Sequence, residues 1–267
     1  MASTAIRGMF SDLHAPATVI GTASQAVWVL ANDEVVVAST SDATRLPNGV
    51  EIAAEATADA FRSVRHGSPV TVGLGQLMFE ELTIDVVRWW DPRPALRRIS
   101  AEELESAIAG LPSTVPDVES GSLLAALSAG SPPEILSAAE SLIGGGPGLT
   151  PEGDDYLAGA LAATRTLGEA LGNANAGAVL DTVADPLMRL ASIRTTTFSA
   201  ALIGHAIDGR VAAPAGDMLR ALTGRGDVAL RHRDLIRVGH TSGSALASGL
   251  ILGAISLLRS QPALQRR

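Results

Sequence analysis

The chain has 267 residues, a mass of 27.3 kDa, no cysteine and no lysine, and a formal net charge of −8 with a pI near 5.1. A hydrophobic content of 46% excludes intrinsic disorder, and the absence of cysteine excludes disulfides, thiolate metal sites and thiol nucleophiles. The absence of lysine excludes Schiff-base chemistry and a lysine-containing phosphate loop, and the acidic balance argues against nucleic-acid and anionic-membrane partners.

The N-terminal third of the chain has the pattern of a β-rich domain. Short segments rich in Val, Ile and Thr predict strands at 18–21, 26–30, 35–40, 70–72, 76–79 and 83–89. Asn32 and Asp33 predict a hairpin turn, and apolar residues at helical spacing predict one helix at 50–66. The proline-rich break at 91–94 predicts a domain boundary, with a β-rich domain at 1–92 and a helical domain at 93–267.

Nearly all of the remaining chain is predicted to be helical, which gives an α+β fold class. Ser100 and Glu103 form a capping pattern for the first helix, which Gly110 to Pro112 should end. Further helices are predicted at 118–129, 133–143, 153–171, 174–189, 196–208, 215–223, 227–237 and 242–258. The last of these is near the minimum length of a membrane span, but its serines and glycines favour a helix buried among other helices. The first eleven residues do not resemble a signal peptide, so we expect a cytoplasmic protein and no membrane partner.

A glycine-rich loop at 144–155 is the first candidate site. Thr150 is predicted as the N-cap of the following helix, with Pro151 at its first position and unpaired N–H groups facing an anion. Gly146, Gly148 and Gly153 would allow the backbone to approach that ligand closely. Asp154 and Asp155 are candidate catalytic carboxylates. They could instead cap the helix or hold Mg²⁺ with a substrate phosphate, although we expect no metal and no cofactor.

A second loop contains Gly239, His240, Thr241, Ser242 and Gly243, and it also precedes a predicted helix. His240 is the natural proton carrier there, and the remaining four residues are candidate ligand-binding residues. When the helices after the two loops are aligned at Gly153 and Gly243, both have a second glycine six residues later. That spacing predicts that the two helices pack closely with their N-termini near one point. The alternative is two similar caps on unrelated helices.

The third segment consists of Arg194, Thr195, Thr196 and Thr197 at a predicted helix start. Arg194 is predicted to be the main positive charge facing a bound anion, with the Thr195 and Thr196 hydroxyls donating beside it. Arg237, close to the second loop, could compete for this role. An ordinary capped helix with an exposed arginine is the alternative.

Three motifs of the chain resemble the AllH-like family, a family of oxamate carbamoyltransferase subunits. They are GPGLTPEGDD at 146–155, RTT with the following serine and helix at 194–209, and GHTSG with its helix at 239–253. The resemblance implies interconversion of oxalurate plus phosphate with oxamate plus carbamoyl phosphate, in an enzyme assembled from several different subunits at the end of purine or allantoin breakdown. The family often has Asp two residues after the last glycine of GHTSG, where this chain has Ala245.

Two functions follow as expectations. The chain is either a subunit of a carbamoyl-transfer enzyme or a non-catalytic subunit that binds an anionic metabolite or supports assembly. Its expected partners are other subunits of the enzyme and a small anionic substrate such as carbamoyl phosphate or oxamate. In both cases Asp154 and Asp155 should face the same cleft as Thr150, His240 and Thr241.

Overall fold

The computed structural model describes residues 1–11, 13–111 and 120–260. Within it the chain forms two compact units, Met1–Pro92 and Arg93–Arg267. The first unit contains a β-sheet and the second is helical, so the predicted α+β class is confirmed.

The first unit is a nine-stranded sheet that covers a core of small aliphatic and aromatic side chains. Its described strands are β1 (Ala2–Ser3), β2 (Ala15–Thr22), β3 (Ala26–Ala31), β4 (Glu34–Ser39), β5 (Gly49–Glu51), β6 (Pro69–Gly73), β7 (Gln76–Met78), β8 (Thr83–Asp85) and β9 (Trp89–Trp90). Their order is β8-β7-β6-β2-β3-β4-β5-β1-β9, with parallel pairing for β4 with β5 and for β1 with β9. A short helix, α1 (Arg7–Ser11), follows β1.

The turn between β3 and β4 is the predicted hairpin turn. Asn32 and Asp33 both have positive φ, at 49° and 66°, and Ala31 pairs with Glu34. Positive φ at both central residues is the type I′ pattern, which matches the twist of the flanking strands.

Because glycine adopts this conformation without steric cost, we expect Asp33→Gly to raise the free energy of unfolding of the first unit by up to ~1 kcal/mol. Asp33→Val should lower it by about 1–2 kcal/mol, since a β-branched side chain is strained at positive φ. All three tryptophans lie in the first unit, so urea denaturation followed by tryptophan fluorescence measures the effect there. An Asp33→Val variant as stable as wild type would contradict the turn assignment.

The helix predicted at 50–66 is wrong. Val50 lies in β5, where it pairs with Ala2 on one side and with Ala38 on the other. The rest of the segment contains a single 3₁₀ turn at Ala56–Ala58, followed by Asp59 at a φ of 49°. Pairing with strands that are distant in sequence and burial of Phe61 in the sheet core outweigh the weak helical periodicity of small residues.

The second unit contains nine described helices. They are α2 (Ala101–Ala109), α3 (Ser120–Ala129), α4 (Pro132–Leu142), α5 (Glu152–Ala170), α6 (Ala174–Arg194), α7 (Thr197–Ile207), α8 (Ala213–Leu222), α9 (Val228–Ile236) and α10 (Ser242–Arg259). Ser100 and Glu103 form the predicted capping box of α2. The predicted first residues of α3 and the predicted end signal at Pro112 lie outside the described residues.

At the centre of the helical unit, α5 packs along α10. Gly159 lies against the Leu246 carbonyl, and Gly249 lies against the Tyr156 carbonyl. A Cβ at either glycine would overlap the opposing carbonyl oxygen, so the two backbones are in direct contact. The close packing predicted from the matched glycines is therefore confirmed, and the contacts run in the same direction along both helices.

α10 is long and apolar enough, by length and composition alone, to span a membrane. Of its most apolar stretch, 61% is buried inside the helical unit. Gly249 and Gly253 of α10 pack against the α5 backbone, as expected for a core helix.

Candidate functional site

Three loops meet where α5 and α10 begin. Thr150 Oγ1, at the end of the α4–α5 loop, lies 3.0 Å from Ser242 Oγ, and the two residues are 92 positions apart in the chain. Thr196 Oγ1, between α6 and α7, donates to the Leu149 carbonyl at 2.7 Å. All three sequence motifs thus contribute to one region of the helical unit.

The Thr150 N-cap prediction is wrong. α5 begins at Glu152, and its N-cap is Pro151, which makes no side-chain capping bond. Thr150 is one residue too early because the extended backbone of Pro151 makes the turn into the helix. The Thr150 hydroxyl contacts Ser242 instead.

Three of the predicted unpaired N–H groups of α5 are already satisfied by the chain. Gly153 N donates to the Gly145 carbonyl at 2.9 Å, and Asp154 N and Asp155 N donate to the Pro151 carbonyl at 3.0 and 3.2 Å. The α4–α5 loop folds back over the start of the helix and supplies these acceptors. The first turn of α5 therefore offers no free donor among these three amides.

The start of α10 differs in this respect. Gly243 N donates to the Val238 carbonyl at 2.9 Å, and Ala245 N donates to the Thr241 carbonyl at 3.0 Å. Within the described part of the chain, the amides of Ser242 and Ser244 have no hydrogen-bond acceptor. Two backbone donors at a helix N-terminus are therefore available to an anion.

Three of the predicted ligand-binding glycines have a conformational role. Gly146, Gly148 and Gly239 have φ values of 115°, 100° and 62°, which favour glycine. A Cβ at Gly148 would have no atom of the described residues within 4 Å.

The other two predicted ligand-binding glycines are packing residues. A Cβ at Gly153 would overlap the Leu142 carbonyl, and a Cβ at Gly243 would overlap the Leu235 carbonyl. Both glycines therefore let a helix start against the end of the helix that precedes it.

Asp154 is buried and joins three elements of the helical unit. Its carboxylate accepts hydrogen bonds from Gly144 N at 2.8 Å, from Ser199 Oγ at 2.6 Å and from Thr195 Oγ1. The expectation that both aspartates face the α10 loop is thus wrong for Asp154, which faces α7. Its oxygens are occupied by the protein, so this arrangement favours a structural role over catalysis.

Asp155 points toward the other side, where Thr150 and Ser242 lie. It is 8% exposed, and its Oδ2 makes no hydrogen bond to any residue that the structure describes. Burial raises the pKa of Asp155 to about 7, although the Ser242 and Thr150 hydroxyls act in the opposite direction. The negative charges of Asp154 and Glu152 raise this pKa further. A buried carboxyl that titrates near neutral pH is suited to carry a proton.

Arg194 is not at a helix start. It is the last residue of α6, because the buried stripe of Leu180, Val183, Leu187 and Ala191 continues the helix past the predicted end at 189. Its side chain is 45% exposed, and its Nη1 lies 3.4 Å from Glu140 Oε1.

The two hydroxyls predicted to act beside Arg194 are used within the protein. Thr195 donates to Asp154, and Thr196 caps α7 by accepting from Ser199 N at 3.0 Å while it donates to the Leu149 carbonyl. Neither hydroxyl hydrogen is free for a ligand. Both hydroxyls donate within the protein, and their donation to an anion stays a prediction.

His240 and Thr241 are exposed at the start of α10. Among the residues that the structure describes, no group of three or more His, Asp or Glu could hold a metal ion. Ser199 is a site residue that sequence reasoning did not single out. The sequence pattern that could have identified Ser199 is the Arg-Thr-Thr motif, because this motif includes the serine that follows it.

Residues 142–254, which contain the three loops, α5 and the larger part of α10, match the family model of the oxamate carbamoyltransferase subunit AllH. This segment is AllH-like. None of the curated proteins and none of the solved structures matches the chain. The AllH-like segment begins at the last residue of α4 and ends within α10, so it lies entirely in the helical unit.

Proposed function

We propose that the chain is a subunit of an oxamate carbamoyltransferase, which converts oxalurate and phosphate into oxamate and carbamoyl phosphate. The support is the AllH-like segment together with one geometric observation. The free amides of Ser242 and Ser244 lie at the junction of the three motif loops, beside the buried carboxyl of Asp155. This combination offers donors to an anion and a group that can move a proton.

The proposed reaction needs both features. An oxygen of phosphate attacks the ureido carbon of oxalurate, the bond from that carbon to the inner nitrogen breaks, and oxamate leaves. The proton of hydrogen phosphate must reach the departing nitrogen, so the net charge of the reactants equals that of the products. Backbone N–H groups stabilise the negative charge of the reacting anions, and Asp155 or His240 can carry the proton.

The alternative is a non-catalytic subunit that binds an anionic metabolite or supports assembly. Ala245 favours it, because this residue is 3% exposed and occupies a position where the family often has an acid. The use of the Thr195 and Thr196 hydroxyls within the protein also favours it.

Reconstitution tests the first function. The chain is coexpressed with its partner subunits, and carbamoyl phosphate is measured with oxalurate and phosphate as substrates. We expect activity that depends on this chain. Equal activity without it would refute the catalytic assignment, and binding of oxamate without turnover would support the alternative.

The backbone carbonyl of Arg194 lies against Gly144 of the α4–α5 loop, and the Arg194 side chain is 45% exposed. Its ion pair with Glu140 is solvent-exposed and worth about 0–1 kcal/mol, so an incoming anion can replace it at small cost. A charge-assisted hydrogen bond contributes ~1.5–3 kcal/mol, so we expect Arg194→Ala to weaken oxamate or phosphate binding by about 10- to 100-fold.

Isothermal titration calorimetry of the full chain measures this effect. Arg189→Ala is the matched control, since Arg189 is an exposed arginine on the same helix, and it should leave affinity unchanged. Equal affinity in wild type and Arg194→Ala would transfer the role to Arg237 or to backbone N–H groups.

A further inference from the structure

Asp155 lies where the two central helices begin. On its own helix it is flanked by Asp154 and Glu152, and from the neighbouring elements it faces the hydroxyls of Thr150 and Ser242. It is more than nine-tenths buried, and Oδ2 has no hydrogen-bond partner among the described residues. A buried carboxyl oxygen without a partner costs free energy unless a ligand or a proton satisfies it.

Within the described part of the chain, no positive charge compensates this carboxyl. The charged groups that act on it are Asp154 and Glu152, and both are negative. The sequence contains no lysine, and α10 presents hydroxyls and backbone amides at this point. Burial and these two negative charges therefore raise the pKa of Asp155 to about 7, against the hydrogen bonds of Ser242 and Thr150 that lower it.

An anion bound at the Ser242 and Ser244 amides would bring a further negative charge toward Asp155. If Asp155 were ionised, the two charges would repel each other in a region of low dielectric constant. If Asp155 is protonated, its O–H can donate to an oxygen of the anion. The same anion that repels the carboxylate thus accepts a hydrogen bond from the acid.

We propose that Asp155 takes part in ligand binding as a neutral carboxylic acid that donates a hydrogen bond to an oxyanion held at the start of α10, so that binding takes up a proton. This inference rests on the anion site of the proposed function, and it defines the ligand class further as an oxyanion such as a carboxylate or phosphate. Above neutral pH, free Asp155 loses its proton, and binding must first restore it. Affinity should then fall as pH rises.

The probes are oxamate and sulfate, since the charge of each is constant between pH 6 and pH 8. With free Asp155 titrating near pH 7, we expect the dissociation constant of either probe to rise about tenfold from pH 6 to pH 8. Calorimetry at pH 7.5 in two buffers of different ionisation enthalpy should show net proton uptake on binding.

Two variants identify the group that takes up the proton. Asp155→Asn keeps the shape and a donor, so it should bind both probes with little pH dependence and no proton uptake. His240→Gln is the control, because His240 is an exposed ionisable side chain beside the start of α10. We expect it to retain the tenfold change, and loss of the change in His240→Gln but not in Asp155→Asn would overturn the proposal.

The binding measurements distinguish a failure of the anion site from a failure of the role of Asp155. If neither probe binds wild type at any pH, the anion site itself is refuted. If the probes bind without proton uptake, the site stands and the role of Asp155 is refuted.

A ligand-free measurement supports the same test. Asp155 has a higher pKa in the folded chain than its ordinary value, so its ionisation destabilises the fold increasingly as pH rises toward 7. Asp155→Asn should therefore melt at a higher temperature than wild type at pH 8, with a smaller difference at pH 5. A difference that does not depend on pH would contradict the neutral-acid assignment.

If the Asn variant does not fold, Ser242→Ala removes a hydroxyl that lowers the pKa of Asp155 and should move the binding transition to higher pH.

Discussion

Gly249→Ala is expected to destabilise the helical unit by about 3 kcal/mol or more. The added methyl group would overlap the carbonyl oxygen of Tyr156 and lie 2.9 Å from Ala160 N, and both atoms belong to the backbone of α5. A side chain could rotate away, but a helix backbone cannot. α5 and α10 would have to separate along their whole contact, and both helices would lose close packing there.

Gly121→Ala is the matched control for this prediction. It is also a glycine-to-alanine change in a helix of the same unit, near the start of α3, and a Cβ there has no atom of the described residues within 4 Å. Alanine should be neutral or stabilise by up to ~1 kcal/mol at such a position. Thermal denaturation followed by far-ultraviolet circular dichroism measures both variants. Equal melting temperatures for Gly249→Ala and wild type would show that α5 and α10 are further apart than the structure places them.

The second large effect is expected for Asp154→Ala. This change leaves Gly144 N, Thr195 Oγ1 and Ser199 Oγ without their shared acceptor, and Ser199 is only 1% exposed. Each buried polar group without a partner costs about 1–3 kcal/mol, and the losses are not additive. We expect a decrease of about 3–5 kcal/mol in the free energy of unfolding, because three donors lose one shared acceptor.

Two further variants separate this structural role from a simple charge effect. Asp154→Asn keeps one acceptor oxygen and should cost less than Asp154→Ala. Glu152→Ala removes an exposed acid from the same helix turn and should cost less than about 1 kcal/mol, the value of a charge near a helix N-terminus. Urea denaturation at pH 7 ranks the variants. Equal losses for Glu152→Ala and Asp154→Ala would refute the proposed network.

Features that depend on neighbouring residues were predictable from the sequence. The Ser100 capping box and the Asn32–Asp33 turn each need only a few adjacent residues, and both occur as predicted. The close packing of α5 and α10 was also predictable, because glycines at equal spacing in two helices identify where their backbones can touch.

Features that depend on distant partners were not predictable in this way. Val50 is in a strand because it pairs with Ala2 and Ala38, and local periodicity does not show such pairing. The roles of Asp154 and Thr195 were not predictable for the same reason, since their hydrogen bond joins residues that are 41 positions apart in the chain. Sequence patterns identified the polar residues of the candidate site. Whether each of these residues hydrogen-bonds to another side chain or is left for a ligand could be decided only from the fold.

The contacts between α5 and α10 have an approximate twofold symmetry. Gly159 of α5 faces the carbonyl of Leu246 of α10, and Gly249 of α10 faces the carbonyl of Tyr156 of α5. Adding 90 to each α5 residue number of one contact gives the α10 residue of the other, so the two contacts are equivalent. By the same relation, the counterpart of Asp155 is Ala245, so an acid is present on one side of the axis only. An acid at both positions would resemble a carboxyl dyad that shares one proton between equivalent halves. With a single acid, the two sides of the axis differ, and only the Asp155 side can hold a proton or donate a hydrogen bond from a carboxyl group.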